Sequence, residues 1–382
     1  MIYLDNNATT QPDPLVAEAM WPWLTERYGN PSSAHRMGQV ARAAVDEARA
    51  KVAALVGCRD RELTFTGGGT EATNTALRGL FHARNRNVRR PKIVVTAAEH
   101  AATKETAEDL GGEVLEAPVD EDGLTGLDDF AAAIDDTTAF VSVIWANNET
   151  GVINDPTPLV ELCRERGVPL HVDATQAVGK LPVNLADLGC DAATFASHKF
   201  HGPKGVGVLY LRRGLRIRPH IVGGPQERDR RGGTENVAGI VGTGVAAELA
   251  ATHLSDVPKI AAMRDDVEQR ILATCGDVRI NGQSAPRLPN TVNAGFKHLQ
   301  AEAILLMLSE AGVCASAGAA CSSGSLEPSH VLTAMDVPEA YAHGSVRFSL
   351  SRFTTRDEVD ATMKVLPDVI ARLRRVVPVA GA

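Results

Sequence analysis

The sequence lacks the features that mark most secreted, membrane-spanning and nucleic-acid-binding proteins. Its formal net charge is −8, whereas general nucleic-acid binders are usually basic. No basic segment precedes an apolar stretch near the N-terminus, and no unbroken apolar run reaches the length of about 18 residues that a membrane span needs. The sequence therefore predicts a cytoplasmic protein with no signal peptide that binds neither membranes nor nucleic acid.

Cysteine is present but not in patterns that bind metals or form disulfide frameworks. The six cysteines are scattered, and no two form a C-x-x-C pair, so we expect no zinc site and no disulfide scaffold. Free thiols are typical of a reducing compartment. Only Cys321 stands in the middle of a loop of small polar residues, where a thiolate could reach into a cleft.

The length and the order of elements predict two domains. At roughly 150 residues per domain, a chain of 382 residues divides into about two. Strand and helix patterns alternate over much of residues 15–256, which predicts a large α/β domain with a mostly parallel sheet. The composition changes near Val257, so we expect a smaller α+β domain formed by residues 1–14 and 257–382.

Polar side chains follow four predicted strands of the large domain, at the point where each strand ends. The four clusters are Glu99 and His100 after residues 92–96, Asn147 to Glu149 after 139–145, Asp173 to Gln176 after 169–172, and Ser197 to Lys199 after 193–196. Ligands of such sheets bind beyond the carboxyl ends of the strands. The sequence therefore predicts a single site at this edge.

Two features of the large domain suggest what binds there. Lys199 lies in a turn between two strands, where burial could lower its pKa from about 10.4 and make it a nucleophile; the alternative is a solvated loop lysine. Gly67 to Gly69 and Thr70 lie between a strand and a helix, an arrangement that binds anions through backbone N–H groups. Because the loop lacks the Gly-Lys-Ser/Thr ending of a nucleotide-binding loop, a smaller phosphate ester is favoured, and the alternative is a tight turn.

A lysine, an aspartate and a glycine loop at one sheet edge are what pyridoxal phosphate requires. Lys199 would bind the cofactor covalently, and Asp173 would keep the pyridine nitrogen protonated so that the ring accepts electrons. The glycine loop would hold the phosphate, and a strand-end histidine could stack on the ring. These residues make pyridoxal 5'-phosphate the expected cofactor.

Motifs along essentially the whole chain resemble those of the cysteine desulfurases. These enzymes belong to the class V aminotransferase group of fold-type-I pyridoxal-phosphate enzymes, and the sequence resembles their NifS-like, nitrogen-fixation branch. The motifs are Tyr-Leu-Asp-Asn-Asn-Ala-Thr-Thr at 3–10, Gly-Asn-Pro-Ser-Ser at 29–33, Trp-Ala-Asn-Asn-Glu-Thr-Gly at 145–151, His-Lys-Phe-His-Gly-Pro-Lys-Gly at 198–205, Arg-Arg-Gly-Gly-Thr-Glu-Asn at 230–236 and Cys-Ser-Ser-Gly-Ser-Leu-Glu-Pro-Ser-His at 321–330.

The resemblance implies roles for the residues that surround the ring. Lys199 would carry the cofactor and move the substrate Cα proton, while His100 would stack on the ring and assist this transfer. Asp173 would pair with the pyridine nitrogen and Gln176 with the ring hydroxyl oxygen. Cys321 would accept the substrate sulfur.

The resemblance also implies residues for the phosphate, with one departure. The phosphate ligands would be Gly69, Thr70 and His198 of one subunit and Thr234 of its neighbour. Many relatives have Ser-x-His-Lys before the lysine, but here Ala196 takes the place of that serine and Ser197 follows it. The hydroxyl contact to phosphate is therefore in doubt, and backbone contacts at these two positions remain.

The implied reaction converts L-cysteine to L-alanine and leaves the sulfur on Cys321 as a persulfide. Asn148 would lie beside the ring and substrate, and Arg347 would bind the substrate carboxylate in the bidentate way that a guanidinium allows. The expected partners are a second copy of the chain and an iron–sulfur scaffold or other sulfur acceptor, with nitrogenase as the destination. No metal of its own is expected, although Cys321 could transiently share a cluster with the scaffold.

Two other functions are open at this point. An aminotransferase acting on a small amino acid would need Lys199 but not Cys321. A non-catalytic thiol scaffold that passes sulfur or iron to partners would need no cofactor. A yellow protein that hydroxylamine bleaches would exclude the scaffold, and sulfide release from cysteine without a keto-acid acceptor would exclude the aminotransferase.

Overall fold

The computed structural model describes residues 1–317 and 328–376. Cys321 therefore lies outside the described residues. The strands are β1 (Ile2–Tyr3), β2 (Leu63–Thr66), β3 (Lys92–Thr96), β4 (Glu113–Ala117), β5 (Thr138–Ile144), β6 (Leu170–Asp173), β7 (Ala192–Ala196), β8 (Gly207–Leu211), β9 (Val278–Ile280), β10 (Thr291–Phe296), β11 (Val313–Cys314) and β12 (Ser345–Ser349). The helices are α1 (Pro14–Thr25), α2 (Arg36–Leu55), α3 (Gly69–Arg84), α4 (Ala101–Asp109), α5 (Leu127–Ala133), α6 (Thr157–Arg166), α7 (Leu185–Leu188), α8 (Gln226–Asp229), α9 (Val237–His253), α10 (Val257–Cys275), α11 (Ala301–Glu310), α12 (His330–Ala334), α13 (Glu339–Ala342) and α14 (Arg356–Val376).

A mostly parallel sheet forms the centre of the larger part of the chain. In the described residues it has seven strands in the order β2-β8-β7-β6-β5-β3-β4. Strands β3 to β7 run parallel, and β8 is antiparallel to both of its neighbours. Every residue of β5 and β7 is buried, as expected for a sheet with helices on both faces. The predicted α/β fold is confirmed.

A second cluster of buried residues surrounds a smaller antiparallel sheet. Strand β10 pairs with β9 on one side and β12 on the other, and α10 and α14 pack together beside them. Leu4 is buried in this cluster, and β1 pairs with β11. The N-terminal residues thus pack with the C-terminal part of the chain. We propose the division into 15–256 and 1–14 with 257–382 on this basis.

Helix α9 packs on α1 and α2. The continuous helical run that contains it, Val237–Cys275, is long and apolar enough to cross a membrane by length and composition alone. Its glycines allow close helix packing instead, because a Cβ at Gly244 would lie 2.7 Å from the Cα of Ala48. Nine residues of α9 are buried inside the protein, which is the arrangement of a core helix.

Candidate active site

The polar strand ends meet at one edge of the central sheet because β3 to β7 run in the same direction. The N-terminal segment crosses this edge, and the backbone N–H of Thr10 donates to the carbonyl of His198 at 2.9 Å. Lys199 ends the short 3-10 turn Ser197–Lys199, which follows β7 directly. The predicted site edge therefore includes a segment that the sequence analysis left without a role.

Lys199 and Gln176 meet at one carbonyl oxygen. The Nζ of Lys199 donates to the carbonyl oxygens of Asn7 (2.7 Å) and Ala8 (2.9 Å). The Nε2 of Gln176 donates to the same Asn7 oxygen at 2.9 Å. The amine and the amide are thus held side by side, so both could contact one bound cofactor.

Asp173 ends β6 as a buried carboxylate. Its Oδ1 accepts a hydrogen bond from the backbone N–H of Thr175 at 2.9 Å. Its carboxylate forms no ion pair with the Lys, Arg and His side chains of the described residues. Because a buried charge is costly without a partner, this carboxylate fits a protonated pyridine nitrogen.

His100 caps helix α4 at the same edge. Its Nδ1 accepts from the backbone N–H of Ala102 at 3.0 Å, which leaves the proton on Nε2 in the neutral ring. Burial lowers the pKa of His100, although the charge of Asp173 opposes this effect. The imidazole is therefore a neutral ring with a free donor, suited to stack on an aromatic cofactor.

The glycine loop forms an anion cradle at the start of α3. Gly68 is the N-cap residue and has no side chain to bond the first N–H groups of the helix, so these donors are available to an anion. A Cβ at Gly69 would lie 3.3 Å from the Cβ of Ala196, which places Ala196 against the loop. The hydroxyl of Ser197 faces Gly202 instead. The loop and Asp173 together fit the phosphate and the ring nitrogen of pyridoxal phosphate.

The other expected phosphate residues occupy two different environments. The Nδ1 of His198 is hydrogen-bonded to the hydroxyl of Thr9 at 3.2 Å, and burial, with Lys199 adding to it, lowers the pKa of His198 to about 4. Thr234 is exposed on the segment before α9. Close by in sequence, Arg231 binds Glu71 at 2.9 Å, and Glu71 in turn accepts from the N–H of Gly67. These two contacts tie the arginine-rich segment to the glycine loop.

Arg347 connects the small sheet to the site. It is 1% exposed, its Nη2 donates to Asp5 at 2.7 Å, and its Nη1 donates to the carbonyl of Asn148 at 2.9 Å. That carbonyl also accepts from the side chain of Asn7 at 3.1 Å. The contacts with Asp5 and with the Asn148 carbonyl therefore fix the orientation of the guanidinium before substrate binds.

Sequence reasoning missed Asn7 and Lys180, which bind each other. The side-chain oxygen of Asn7 accepts from Lys180 at 3.1 Å and from Asn290 at 3.0 Å, and its amide nitrogen donates to Thr291 at 2.9 Å. The motif at 3–10 contains Asn7 but gave it no role. Lys180 follows Gln176 by four residues, and this short separation in sequence was the signal that the two side chains could lie close together.

No group of three or more His, Cys, Asp and Glu side chains in residues 1–317 and 328–376 could hold a metal ion. The described cysteines are Cys58, Cys163, Cys190, Cys275 and Cys314, and all five are free thiols.

Comparisons with known proteins agree on one family. Residues 2–362 match the family model described as aminotransferase class-V. The chain is 47% identical to a cysteine desulfurase of a Nostoc species, over 99% of this chain and 95% of that protein. It is 45% identical to the cysteine desulfurase NifS of Azotobacter vinelandii, over 99% and 94% of the two chains.

Solved structures agree with the sequence relatives. A NifS-like protein superposes with a TM-score of 0.90 at 36% identity, covering 97% of this chain and all of that one. A structure described as SspA in complex with cysteine superposes with a TM-score of 0.81 at 30% identity, covering 93% of this chain and all of that one.

Proposed function

Because this chain belongs to the class-V aminotransferase family and is a pyridoxal-phosphate-dependent cysteine desulfurase, we propose which of its residues carry out the reaction. Lys199 binds the cofactor, Asp173 holds its ring nitrogen and Gln176 its ring oxygen. The single observation that carries this assignment is the carbonyl of Asn7, which accepts from both Lys199 and Gln176. When bound, the cofactor supplies an electron sink for the electron pair released at the substrate Cα.

Lys199 also moves the proton at the Cα of L-cysteine. The Nζ of Lys199 donates to the carbonyls of Asn7 and Ala8, and these contacts orient the amine that acts as the base. His100 stacks on the ring, and its Nε2–H assists the return of the proton. The phosphate lies at the N-terminus of α3, bound by Gly69, Thr70 and His198, with backbone contacts from Ala196 and Ser197.

Arg347 and Asn148 orient the substrate. The Arg347 guanidinium is held by Asp5 and by the Asn148 carbonyl. We propose that it binds the carboxylate of L-cysteine in the bidentate way that a guanidinium allows, and that the Asn148 side chain lies beside the ring and substrate. This contact fixes the substrate Cα against the Lys199 amine.

Cys321, which lies outside the described residues, is the proposed sulfur acceptor. Its thiolate attacks the sulfur of the substrate, so an S–S bond forms and the C–S bond breaks. The electron pair of the C–S bond stays with carbon, which is protonated and leaves as L-alanine. The resulting persulfide supplies an iron–sulfur scaffold, and the likeness to the Azotobacter relative NifS supports nitrogenase as the destination.

A cytoplasmic homodimer is the proposed form of the enzyme. Large apolar side chains on α1, on the first turns of α2 and between them are exposed to solvent, as an uncovered interface would be. They are Trp21, Leu24, Tyr28, Met37 and Val40. Thr234, exposed before α9, reaches the phosphate of the neighbouring subunit in this arrangement. A stable and fully active monomer in sedimentation would contradict it.

Two mass measurements test the proposed residues. Borohydride reduction of the yellow protein should fix the cofactor to the peptide that contains Lys199, and not to that of Lys204. Incubation with L-cysteine should add one sulfur to the Cys321 peptide and release alanine without a keto acid. A cofactor mass on Lys204, or sulfur on another cysteine, contradicts the assignment.

A further inference from the structure

Lys180 is a basic residue of the site that the proposed mechanism does not use. Its Nζ donates to the side-chain oxygens of Gln176 and Asn7, the latter at 3.1 Å. Together with Lys199 it lines a cavity of about 50 Å³ at the carboxyl edge of the sheet. No ion pair of the described residues includes Lys180, so its charge has no carboxylate partner there.

Among the described residues, the titratable groups that act on Lys180 or respond to its charge are basic side chains. Lys199, His198 and His201 face it from the segment after β7, and Arg347 faces it from β12. Burial, followed by the charges of Lys199 and Arg347, lowers the pKa of Lys180 well below its usual value. An anion placed beside it would relieve this repulsion.

Lys180 also decides which way the Gln176 amide points. Because Oε1 accepts from Lys180, Nε2 lies on the opposite side and donates to the Asn7 carbonyl. A reversed amide would set Oε1 against that carbonyl and the NH₂ group against the lysine amine, leaving both contacts without a donor–acceptor pair. One N–H of Nε2 is used by Asn7, and the second is available to the cofactor.

We propose that Lys180 is a positioning residue for the ring oxygen of the cofactor. It turns the donor end of Gln176 toward that oxygen, and its amine, protonated when an anion lies beside it, favours the anionic form of the oxygen. The proposal deepens the proposed function and rests on the roles given there to Lys199 and Gln176. It predicts that cofactor bound to Lys199 loses its proton at a lower pH than it would without the Lys180 charge.

The test follows the visible absorption of the reconstituted holoenzyme as a function of pH. Lys180→Met removes the charge and keeps the length of the side chain, and Lys180→Gln is a second neutral variant. Lys180→Arg keeps the charge. Lys204→Met is the matched control, since it removes an exposed lysine five positions after Lys199.

We expect the midpoint of the spectral change to rise by about one pH unit in both neutral variants, which corresponds to a tenfold change in the proton equilibrium. The half-saturating cofactor concentration should rise by about tenfold in the same variants. Lys180→Arg and Lys204→Met should keep the midpoint of the unmodified protein. Gln176→Ala combined with Lys180→Met should weaken cofactor binding by less than the product of the two single effects, because the part of the Lys180 effect that acts through the amide is already lost in Gln176→Ala.

Other outcomes overturn the proposal. If cofactor binding weakens while the midpoint stays unchanged in both neutral variants, Lys180 has only a structural role. If the effects of Lys180→Met and Gln176→Ala on affinity add, Lys180 does not act through the amide. Borohydride mapping of the unmodified protein distinguishes failure of the Lys180 proposal from failure of the proposed function. A cofactor label on a residue other than Lys199 refutes the proposed function itself.

Discussion

The two edges of the central sheet both hold a cavity with basic side chains, and they differ in how these charges are used. The cavity at the carboxyl edge is small, about 50 Å³, and is lined by Lys180 and Lys199. The cavity at the amino edge is about 530 Å³ and is lined by Arg84, Asp191 and Arg212 among others. Of the described residues assigned to the site, Lys199 lines the smaller cavity and none lines the larger one.

Asp191 and Arg212 at the amino edge satisfy each other, whereas the buried Nε of Arg84 has no hydrogen-bond partner among the described residues. The Oδ1 of Asp191 accepts from Nε (3.1 Å) and Nη2 (2.7 Å) of Arg212, and its Oδ2 accepts from the N–H of Leu170 at 3.0 Å. Two thiols line this cavity, and burial raises the pKa of Cys163 to about 12 and also that of Cys190. Such thiols stay protonated and unreactive.

At the carboxyl edge, by contrast, buried polar groups lack partners of opposite charge among the described residues. Asp173 and Lys180 form no ion pair with the described residues, and the first N–H groups of α3 are not capped by a side chain. An anion and a cation of the right shape would therefore be stabilised on binding. In this protein, polar groups that converge without partners of opposite charge identify the site better than the volume of a cavity does.

Lys199→Ala is the strongest test of this contrast. Removing the amine should abolish cofactor attachment and all turnover, because Lys180, the other lysine of this network, is held by the side-chain oxygens of Gln176 and Asn7 and is not expected to replace Lys199. Lys204→Ala should retain the yellow colour and near-normal alanine production. Absorption spectra and alanine assays check both variants, and a yellow, active Lys199→Ala protein would refute the role of the carboxyl edge.

Cys321→Ala should separate cofactor chemistry from sulfur transfer. Asp173 and Lys199 are unchanged in this variant, so it should stay yellow and its spectrum should change when L-cysteine is added. No alanine and no persulfide should form, because the nucleophile is missing. Cys190→Ala, which removes a buried thiol at the amino edge, should form both. Near-normal alanine production by Cys321→Ala would show that another group accepts the sulfur.

Arg347→Lys should impair substrate binding more than cofactor binding. A lysine keeps the charge but loses the paired donors of the guanidinium, so we expect KM for L-cysteine to rise roughly 10- to 100-fold, the range of one or two charged hydrogen bonds. Cofactor affinity should change little. Arg212→Lys at the amino edge is the control and should leave KM unchanged. Equal KM values for the two variants would remove Arg347 from the substrate site.

Acid should weaken the fold through histidines on the carboxyl side. Burial lowers the pKa of His171, His198 and His201 to about 4, whereas an unfolded histidine titrates near 6.5. The folded state thus binds fewer protons between these values, so stability is complete above about pH 6.5 and falls as the pH drops toward 4.

For the fully buried His171, this difference corresponds to a loss of at most about 3 kcal/mol. Urea unfolding across this pH range checks the expected fall, and His171→Gln should flatten it. No histidine lines the amino-edge cavity, so Arg212→Lys should leave the pH dependence unaltered. A constant free energy of unfolding from pH 7 to pH 5 would be the contrary result.

The elements that sequence reasoning predicted are those with strong local patterns. The residue range of β3 agrees with the predicted strand at 92–96, because buried strands form short apolar runs between turn residues. Strand β4 was missed because it lies at the edge of the sheet and is largely exposed. Helix α9 was missed because its glycine-rich, uniformly apolar sequence carries no helical periodicity.

The site was predictable in part for the same reason. Asp173 and Lys199 follow recognisable strands, so their shared edge could be inferred from the direction of a parallel sheet. The contacts of Asn7 and Arg347 depend on residues far apart in sequence, such as Asn7 and Ser349, and no local pattern reports such pairs. The role proposed for Thr234 depends on a second chain, which one sequence cannot place.

The crossing of the N-terminal segment over the site has a consequence for biogenesis. The N–H of Asn7 donates to Ser349, which lies 342 positions later in the chain, and β1 pairs with β11. Long-range contacts of this kind form late in folding. A growing chain can therefore build much of the central sheet, but the N-terminal segment lacks its contacts with Arg347 and Ser349 until β12 has been made. Nascent chains that end before β12 should be unable to retain the cofactor.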